Sequence, residues 1–237
     1  MFKFNIQPQP DDETCGQTSL HAIYRYYGDN IELNQIINEV KRVGNGGTIA
    51  PLLGYHALKR GYQAHIYVYN LNVFDPTWFD LKGNAHLSIL DKLTAQEKVN
   101  KPGRIHESSR AYQAFIKAGG KIRFQDLTVN LLKHYFKTHT PILTGLSATY
   151  LYQSMREIET SIGRLDFDDL HGHPSGHFVV LSGYDSILKK VIVADPHREN
   201  PISHDNYYQV PISRLINSIM LGVLTYDANL LIIQPNS

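Results

Sequence analysis

The sequence predicts an α+β fold in which N-terminal helices pack on a largely antiparallel sheet. Two observations support this class. In the first half of the chain apolar residues recur at helical spacing, as in Leu20, Ile23, Tyr24 and Tyr27. From Pro141 onward, short apolar and β-branched runs alternate with turn-forming residues, which is typical of strands. Helices followed by strands favour an α+β arrangement over an alternating one.

The first helix is expected to begin with a capping box, with Thr14 as the N-cap residue and Gln17 reaching back to it. Gly28 is its expected end. Residues 1–13 precede it as a loop, because Pro8 and Pro10 disfavour helix in the residues before them. Further helices are expected at 33–40, 52–58, 82–98, 108–118, 127–137 and 212–220.

The expected strands are 64–69, 121–125, 142–146, 177–184, 190–194, 207–210 and 230–233. The polar, acidic and histidine-rich segment 153–176 is expected to be a loop that lines the cleft. The chain contains no internal repeat, low-complexity tract or convincing linker, so we expect a single domain over 1–237.

The composition of the chain gives little reason to expect certain binding partners. The chain has 237 residues with a formal net charge of +1, which gives no electrostatic reason to expect nucleic acid or an anionic membrane. A single cysteine allows no intramolecular disulfide. No signal-peptide run or membrane-length apolar stretch is present. We expect a cytoplasmic protein without a cofactor, although an exported effector would look the same.

Cys15 is the first candidate for chemistry. A lone cysteine is usually an inert buried residue. Cys15, however, lies in the first turn of an expected helix, where unpaired N–H groups and the helix dipole favour a thiolate. The carboxylates of Asp11, Asp12 and Glu13 act against this unless they point to solvent.

His177 and Asp195 are the candidates for the base and its orienting partner. His177 opens an apolar strand, and Asp195 ends the next strand before Pro196. If the two strands pair antiparallel, these side chains come close together. A nucleophilic thiol requires such a base with an orienting group. Asp185 and Asp205 are alternative partners for the histidine.

A tetrahedral intermediate also requires hydrogen-bond donors where negative charge develops. Gln9, which stands shortly before Cys15, is the candidate, and Gln7 is its rival.

These residues carry a resemblance to a known family. The segment QPDDETCG, followed by LHAIYRYYG, resembles the N-terminal signature of peptidase family C39 and its C39-like relatives. GHFVVLSGYD and ADP resemble the family's histidine strand and Asp-Pro. The resemblance is specific in the first 28 residues and in 176–196, whereas residues 82–140 have no counterpart. It is closer to stand-alone C39-like proteins than to the peptidase domains of exporters.

The resemblance implies a papain-like fold and a cysteine peptidase acting on a peptide or protein. It assigns Cys15 as nucleophile, His177 as base and acid, Asp195 as orienter and Gln9 to the oxyanion hole. An acyl transferase or transpeptidase would use the same residues, and a non-catalytic peptide-binding module could keep the fold. A metal site around His171, His173 and the aspartates at 166, 168 and 169 is a weaker alternative, because nothing nearby would fix those ligands.

Overall fold

The helices and strands follow the apolar periodicity of the sequence closely. A computed structural model describes residues 4–44, 46–159 and 165–236. In these residues the helices are α1 (Cys15–Tyr26), α2 (Leu33–Glu39), α3 (Ala50–Lys59), α4 (Ile89–Val99), α5 (Arg104–Lys117), α6 (Val129–Lys137), α7 (Ala148–Tyr152) and α8 (Ile212–Leu221). None of them is long and apolar enough to cross a membrane.

Seven strands form one sheet. They are β1 (Tyr62–Val68), β2 (Lys121–Arg123), β3 (Ile142–Ser147), β6 (Gly176–Asp185), β7 (Lys190–Ala194), β8 (Tyr207–Pro211) and β9 (Asn229–Pro235). The order across the sheet is β2-β1-β9-β3-β6-β7-β8, with β1 and β2 parallel and all other neighbours antiparallel. A separate two-stranded sheet pairs β4 (Glu157–Glu159) with β5 (Leu165–Phe167).

Helices cover both faces of the large sheet. Along β9, Leu231 and Ile233 join the core formed with α1 to α5, whereas Leu230 and Ile232 join the core formed with α6, α7 and α8. Side chains of a strand alternate between faces, so one apolar run supplies two cores. The predicted helices on a largely antiparallel sheet are confirmed, with the addition that the later helices occupy the opposite face.

Helix α1 begins where expected, but the predicted capping box is wrong. Thr14 is the N-cap residue, yet its side chain makes no capping bond. Its hydroxyl instead donates to the carbonyl of Asp11 at 3.2 Å, within a turn that precedes the helix. Gln17 is fully buried, and neither polar atom of its amide has a hydrogen-bond partner in the described chain.

The helix expected at 82–98 begins later, at Ile89. Residues 82–88 form turns and two isolated β-bridges instead, because the carboxylate of Asp80 accepts the backbone N–H groups of Lys82 and Asn84 at 2.8 Å each. Gly83 has a φ of +76°, which a helix does not contain. The next helix starts earlier than expected, at Arg104 instead of 108.

Segment 153–176 is more ordered than a plain loop. It contains β4 and β5, and residues 160–164 between them lie outside the described chain. Helix α7, immediately before it, was not predicted. Its five residues are too few to show a helical apolar period.

Close packing under α1 generates a first prediction. A Cβ added at Gly16 would lie 2.6 Å from Cγ2 of Thr48, a distance that forces one of them to move. We expect Gly16→Ala to lower the free energy of unfolding by about 1–3 kcal/mol, as overpacking does. Thr48→Ser removes Cγ2 but keeps the hydroxyl that bonds the Lys41 carbonyl.

The double variant Gly16→Ala/Thr48→Ser should therefore recover part of the loss in a denaturant-unfolding cycle. Strictly additive effects of the two substitutions would contradict this steric explanation.

Candidate active site

Cys15 lies at the first position of α1 and is half-buried. The hydroxyl of Ser19, one turn along the helix, donates to the carbonyl of Phe178 at 3.2 Å. This buried bond ties the start of α1 to β6, one residue from His177. The backbone N–H groups at a helix start have no partner within the helix, so this end of α1 suits a negative charge.

His177 and Asp195 meet through the pairing of β6 with β7. Val180 pairs with Ala194 in that ladder, so Asp195 follows directly after a paired residue. Its side chain reaches His177 diagonally across the two strands. Nε2 of His177 and Oδ1 of Asp195 are 2.7 Å apart, and both side chains are buried. Cys15 lies in the same cavity wall as His177, close enough for its sulfur to raise the pKa of the imidazole. Since Asp195 occupies Nε2, Nδ1 is the ring nitrogen that remains available to the sulfur.

The carboxylate of Asp195 is fully satisfied. Oδ1 also accepts the backbone N–H of His197 at 2.8 Å. Oδ2 accepts the hydroxyls of Tyr152 at 2.8 Å and Tyr208 at 2.6 Å. These three partners were not identified from the sequence. The strand alternation around Tyr208 was a usable signal, whereas nothing pointed to Tyr152.

These contacts determine the protonation states. Burial by itself would lower the pKa of His177, but Asp195 and the Cys15 sulfur raise it well above its usual value. Burial by itself would raise the pKa of Asp195, but the charge and hydrogen bond of His177 and the hydrogen bond from Tyr208 lower this pKa below its usual value. The pair is therefore an imidazolium and a carboxylate at neutral pH.

Asp185 and Asp205, the alternative partners for the histidine, are engaged elsewhere. Oδ1 of Asp185 accepts the N–H groups of Ile187 and Leu188 in the turn after β6. Oδ1 of Asp205 accepts the N–H of Asn206.

Gln9 is held beside the same site by Pro196, the residue after Asp195. Its backbone N–H donates to the carbonyl of Pro196 at 2.9 Å. Its side-chain Nε2 donates one proton to the carbonyl of Asp11, also at 2.9 Å, which leaves a second N–H on that nitrogen. Gln7, the rival, is exposed.

Two cavities adjoin His177. One, of about 220 Å³, has Gln9, Tyr152 and His197 in its wall together with residues of β5. Leu165 and Phe167 of β5 are about half exposed there and offer apolar surface. The described parts of segment 153–176 thus contribute to the cleft wall, as expected.

The second cavity, of about 390 Å³, contains Cys15 and the turn that precedes β9. Asp227 of that turn is 8% exposed, and its Oδ1 has no hydrogen-bond partner in the described chain. Burial raises the pKa of Asp227 to about 7 against the opposing influence of Arg104.

The histidine-rich stretch considered as a metal site is arranged differently. Asp168 accepts from the ring and the backbone N–H of His171, closing a local turn. Among the described residues, no three His, Cys, Asp or Glu side chains are grouped so as to hold a metal ion.

Residues 1–217 match the sequence model of the Peptidase C39 like family. The chain belongs to the C39-like peptidase family. The resemblance carried by the Cys15 and His177 segments is confirmed by this match. No curated protein is significantly similar in sequence to this C39-like protein.

One solved structure supports the fold. A protein from Bacillus anthracis assigned to the C39-like peptidases is 16% identical, with a TM-score of 0.52 over 99% of this chain and 96% of that one. This likeness confirms the predicted α+β fold. Weaker likenesses are to a double-glycine-motif protease from an AMS/PCAT transporter in complex with its leader peptide, and to xylellain, a cysteine protease from Xylella fastidiosa. The first is 15% identical, with a TM-score of 0.45 over 99% of this chain and 93% of that one. The second is 14% identical, with a TM-score of 0.43 over 100% and 85%.

The buried Asp227 generates a prediction about stability. With a folded pKa of about 7 and an ordinary unfolded value, the folded protein binds the extra proton below about pH 7. That stabilising contribution is complete below the unfolded pKa and is lost as pH rises through 7. Asp227→Asn removes the titration. The free energy of unfolding of Asp227→Asn, minus that of wild type, should therefore increase by about 2–3 kcal/mol between about pH 5 and about pH 8.

Denaturant unfolding at both pH values measures this shift. Asp12→Asn, which changes an exposed carboxylate on the rim of the same cavity, is the matched control. Parallel pH profiles for wild type and Asp227→Asn would contradict the prediction.

Proposed function

We propose that this C39-like protein is a cysteine peptidase that cleaves a peptide or amide bond through an acyl-enzyme on Cys15. Membership of the peptidase family supports the reaction class. The single observation that carries the mechanism is that His177, which shares a cavity wall with Cys15, is hydrogen-bonded to the buried Asp195.

In the first half-reaction the Cys15 thiolate attacks the substrate carbonyl carbon. A C–S bond forms, and the carbonyl electrons move onto oxygen. The backbone N–H of Cys15 and the second N–H of Gln9 Nε2 are the donors proposed for this oxyanion. When the oxyanion collapses, the C–N bond breaks and Nδ1 of His177 gives its proton to the leaving amine.

In the second half-reaction His177, now neutral, takes a proton from water while the water oxygen attacks the thioester. Collapse of the second tetrahedral intermediate breaks the C–S bond, releases the carboxylic acid and restores the thiolate and imidazolium. Asp195 holds the imidazole by Nε2 throughout, which keeps Nδ1 directed at the reacting atoms.

An amine in place of water would give a transpeptidase from the same intermediate. The two reactions are separated by incubating the protein with a peptide library in ¹⁸O-labelled water, with and without added glycinamide. Hydrolysis puts ¹⁸O into the new carboxyl ends, whereas transfer gives glycinamide-capped products. The non-catalytic alternative predicts neither product.

Cys15 can be labelled selectively, because it is the only cysteine of the chain. We expect Cys15→Ala to lose all turnover and His177→Ala to slow thiol alkylation at neutral pH. Wild-type protein that releases no product and alkylates no faster than a free thiol would overturn the proposed function.

Asp195→Asn tests the orienting role. Without the carboxylate, His177 loses the largest influence that raises its pKa, so we expect that pKa to fall. We expect kcat/KM to fall by about 10²–10⁴-fold, the range ascribed to a positioned acid–base group. The alkaline limb of the pH–rate profile should also move to lower pH, because the imidazolium is lost earlier.

Tyr208→Phe is the matched control, since it removes one hydrogen bond to Asp195 without touching the contact with His177. Its effect on kcat/KM should be much smaller, with no comparable displacement of the alkaline limb. Circular dichroism establishes that both variants fold. An Asp195→Asn protein with an unchanged pH profile would remove Asp195 from the mechanism.

A further inference from the structure

The turn between α8 and β9 brings a carboxylate to the cleft that the proposed mechanism does not use. Tyr226 adopts a left-handed conformation with a φ of +67°, and the backbone N–H of Asp227 donates to the carbonyl of Gly222 at 2.9 Å. The Asp227 carbonyl accepts Nδ2 of Asn229 at 2.7 Å. The position of Asp227 is thus determined by its backbone on both sides.

Two glycines leave room for this residue. A Cβ at Gly176, the residue before His177, would lie 2.4 Å from Oδ2 of Asp227. A Cβ at Gly145 would lie 2.4 Å from the Asp227 carbonyl oxygen. The carboxylate can therefore lie against the start of β6 only because both neighbouring positions lack side chains.

The protein itself does not neutralise this carboxylate. The hydroxyl of Thr225 reaches it but also donates to the carbonyl of Gly222 at 3.1 Å, and it has one proton to give. Arg104 lies in the same cavity wall, but it is exposed and makes no ion pair with Asp227. Burying a carboxylate without a partner is costly, so a group supplied from the cavity would satisfy it.

The rest of the cavity suits a long side chain with a positive end. Leu224 is 62% exposed and Tyr226 is partly exposed, so both offer apolar surface beside Asp227. Asp12 and Glu13 add carboxylates at the rim, although Glu13 forms an ion pair with Arg42. Lysine and arginine combine an aliphatic stem with a charged head in this way.

We infer that this cavity is a specificity subsite that binds a lysine or arginine side chain of the peptide substrate, with the cationic head on Asp227 and the stem against Leu224 and Tyr226. The inference rests on the proposed function, because it assigns part of the same cleft. An uncharged substrate side chain in this subsite would exclude water from the Asp227 carboxylate without supplying a cation to pair with it.

Binding is measured first without turnover, in the Cys15→Ala protein. The probes are two fluorescein-labelled alanine–glycine peptides that are identical except for one arginine or one citrulline, which has nearly the same shape but no charge. By fluorescence polarisation we expect the arginine peptide to bind at least about tenfold more tightly, a difference typical of a desolvated charged hydrogen bond.

Adding Asp227→Asn to Cys15→Ala should abolish the difference between the two peptides. Adding Asp12→Asn, a matched change on the exposed rim, should leave most of it. Leu224→Lys provides a second variant that does not depend on replacing a buried residue, and its added positive charge should reduce the arginine preference. The inference would be overturned by equal affinities for the two peptides in the Cys15→Ala protein. It would also be overturned if the arginine preference survived Asp227→Asn, or if Asp12→Asn removed that preference as fully as Asp227→Asn does.

The same peptides are then incubated with wild-type protein and analysed by mass spectrometry. Cleavage of both peptides at equal rates, with equal affinities, would overturn the subsite and leave the peptidase proposal standing. An arginine preference in binding without cleavage of either peptide would support the subsite and count against the peptidase proposal.

Discussion

The candidate site depends on one buried carboxylate, that of Asp195. A carboxylate inside a protein is tolerated only when hydrogen bonds and charge replace the water it has lost. Asp195 receives donors from His177, from the backbone of His197 and from the hydroxyls of Tyr152 and Tyr208. The two tyrosine hydroxyls bond Oδ2, so they orient the carboxylate and leave Oδ1 directed at the imidazole. The imidazole in turn lies in the same cavity wall as Cys15.

A second buried carboxylate, that of Asp227, shows that the ionisation of such a group depends on its hydrogen-bond and charge partners. Asp227 is as inaccessible as many core residues, and it also lies near His177. Burial opposes ionisation at both aspartates, but at Asp195 the contact with His177 and its other donors outweigh it, whereas at Asp227 burial prevails. The two groups therefore suit different roles. A saturated carboxylate is an internal support, and an unsaturated one in a cavity wall is available to a ligand.

The sequence predicted those parts of the site that are encoded locally. The apolar run after His177, the turn near Asp185 and the short strand before Asp195 together imply an antiparallel pair, and β6 and β7 form it. The start of α1 at Cys15 followed equally from local residues. The errors in predicting helix starts arose where polar side chains form hydrogen bonds with nearby backbone groups. The hydroxyl of Thr14 bonds to a preceding carbonyl, and the carboxylate of Asp80 organises turns where helical periodicity suggested a helix.

The contacts that could not be predicted join residues that are far apart along the chain. Tyr152 meets Asp195 across 43 residues, and the hydroxyl of Tyr207 accepts the N–H of Ile6 across 201. No periodicity or spacing encodes such pairs, because they arise only when the sheet order β3-β6-β7-β8 brings distant segments together. The N-terminal loop is a case in point, since its docking on β8 and on Pro196 is what carries Gln9 to the site.

The same reasoning limits what net charge says about partners. The chain as a whole is nearly neutral, with a formal net charge of +1, but charge is not evenly distributed around His177. The described walls of the two cavities carry five carboxyl groups, against the guanidinium of Arg104 and the imidazolium of His177. The five are Asp12, Glu13, Glu157, Asp166 and Asp227. A field is set by the charges near a site, and low-dielectric walls concentrate it there. A cleft can therefore select cationic peptides on a protein whose overall charge predicts no preference.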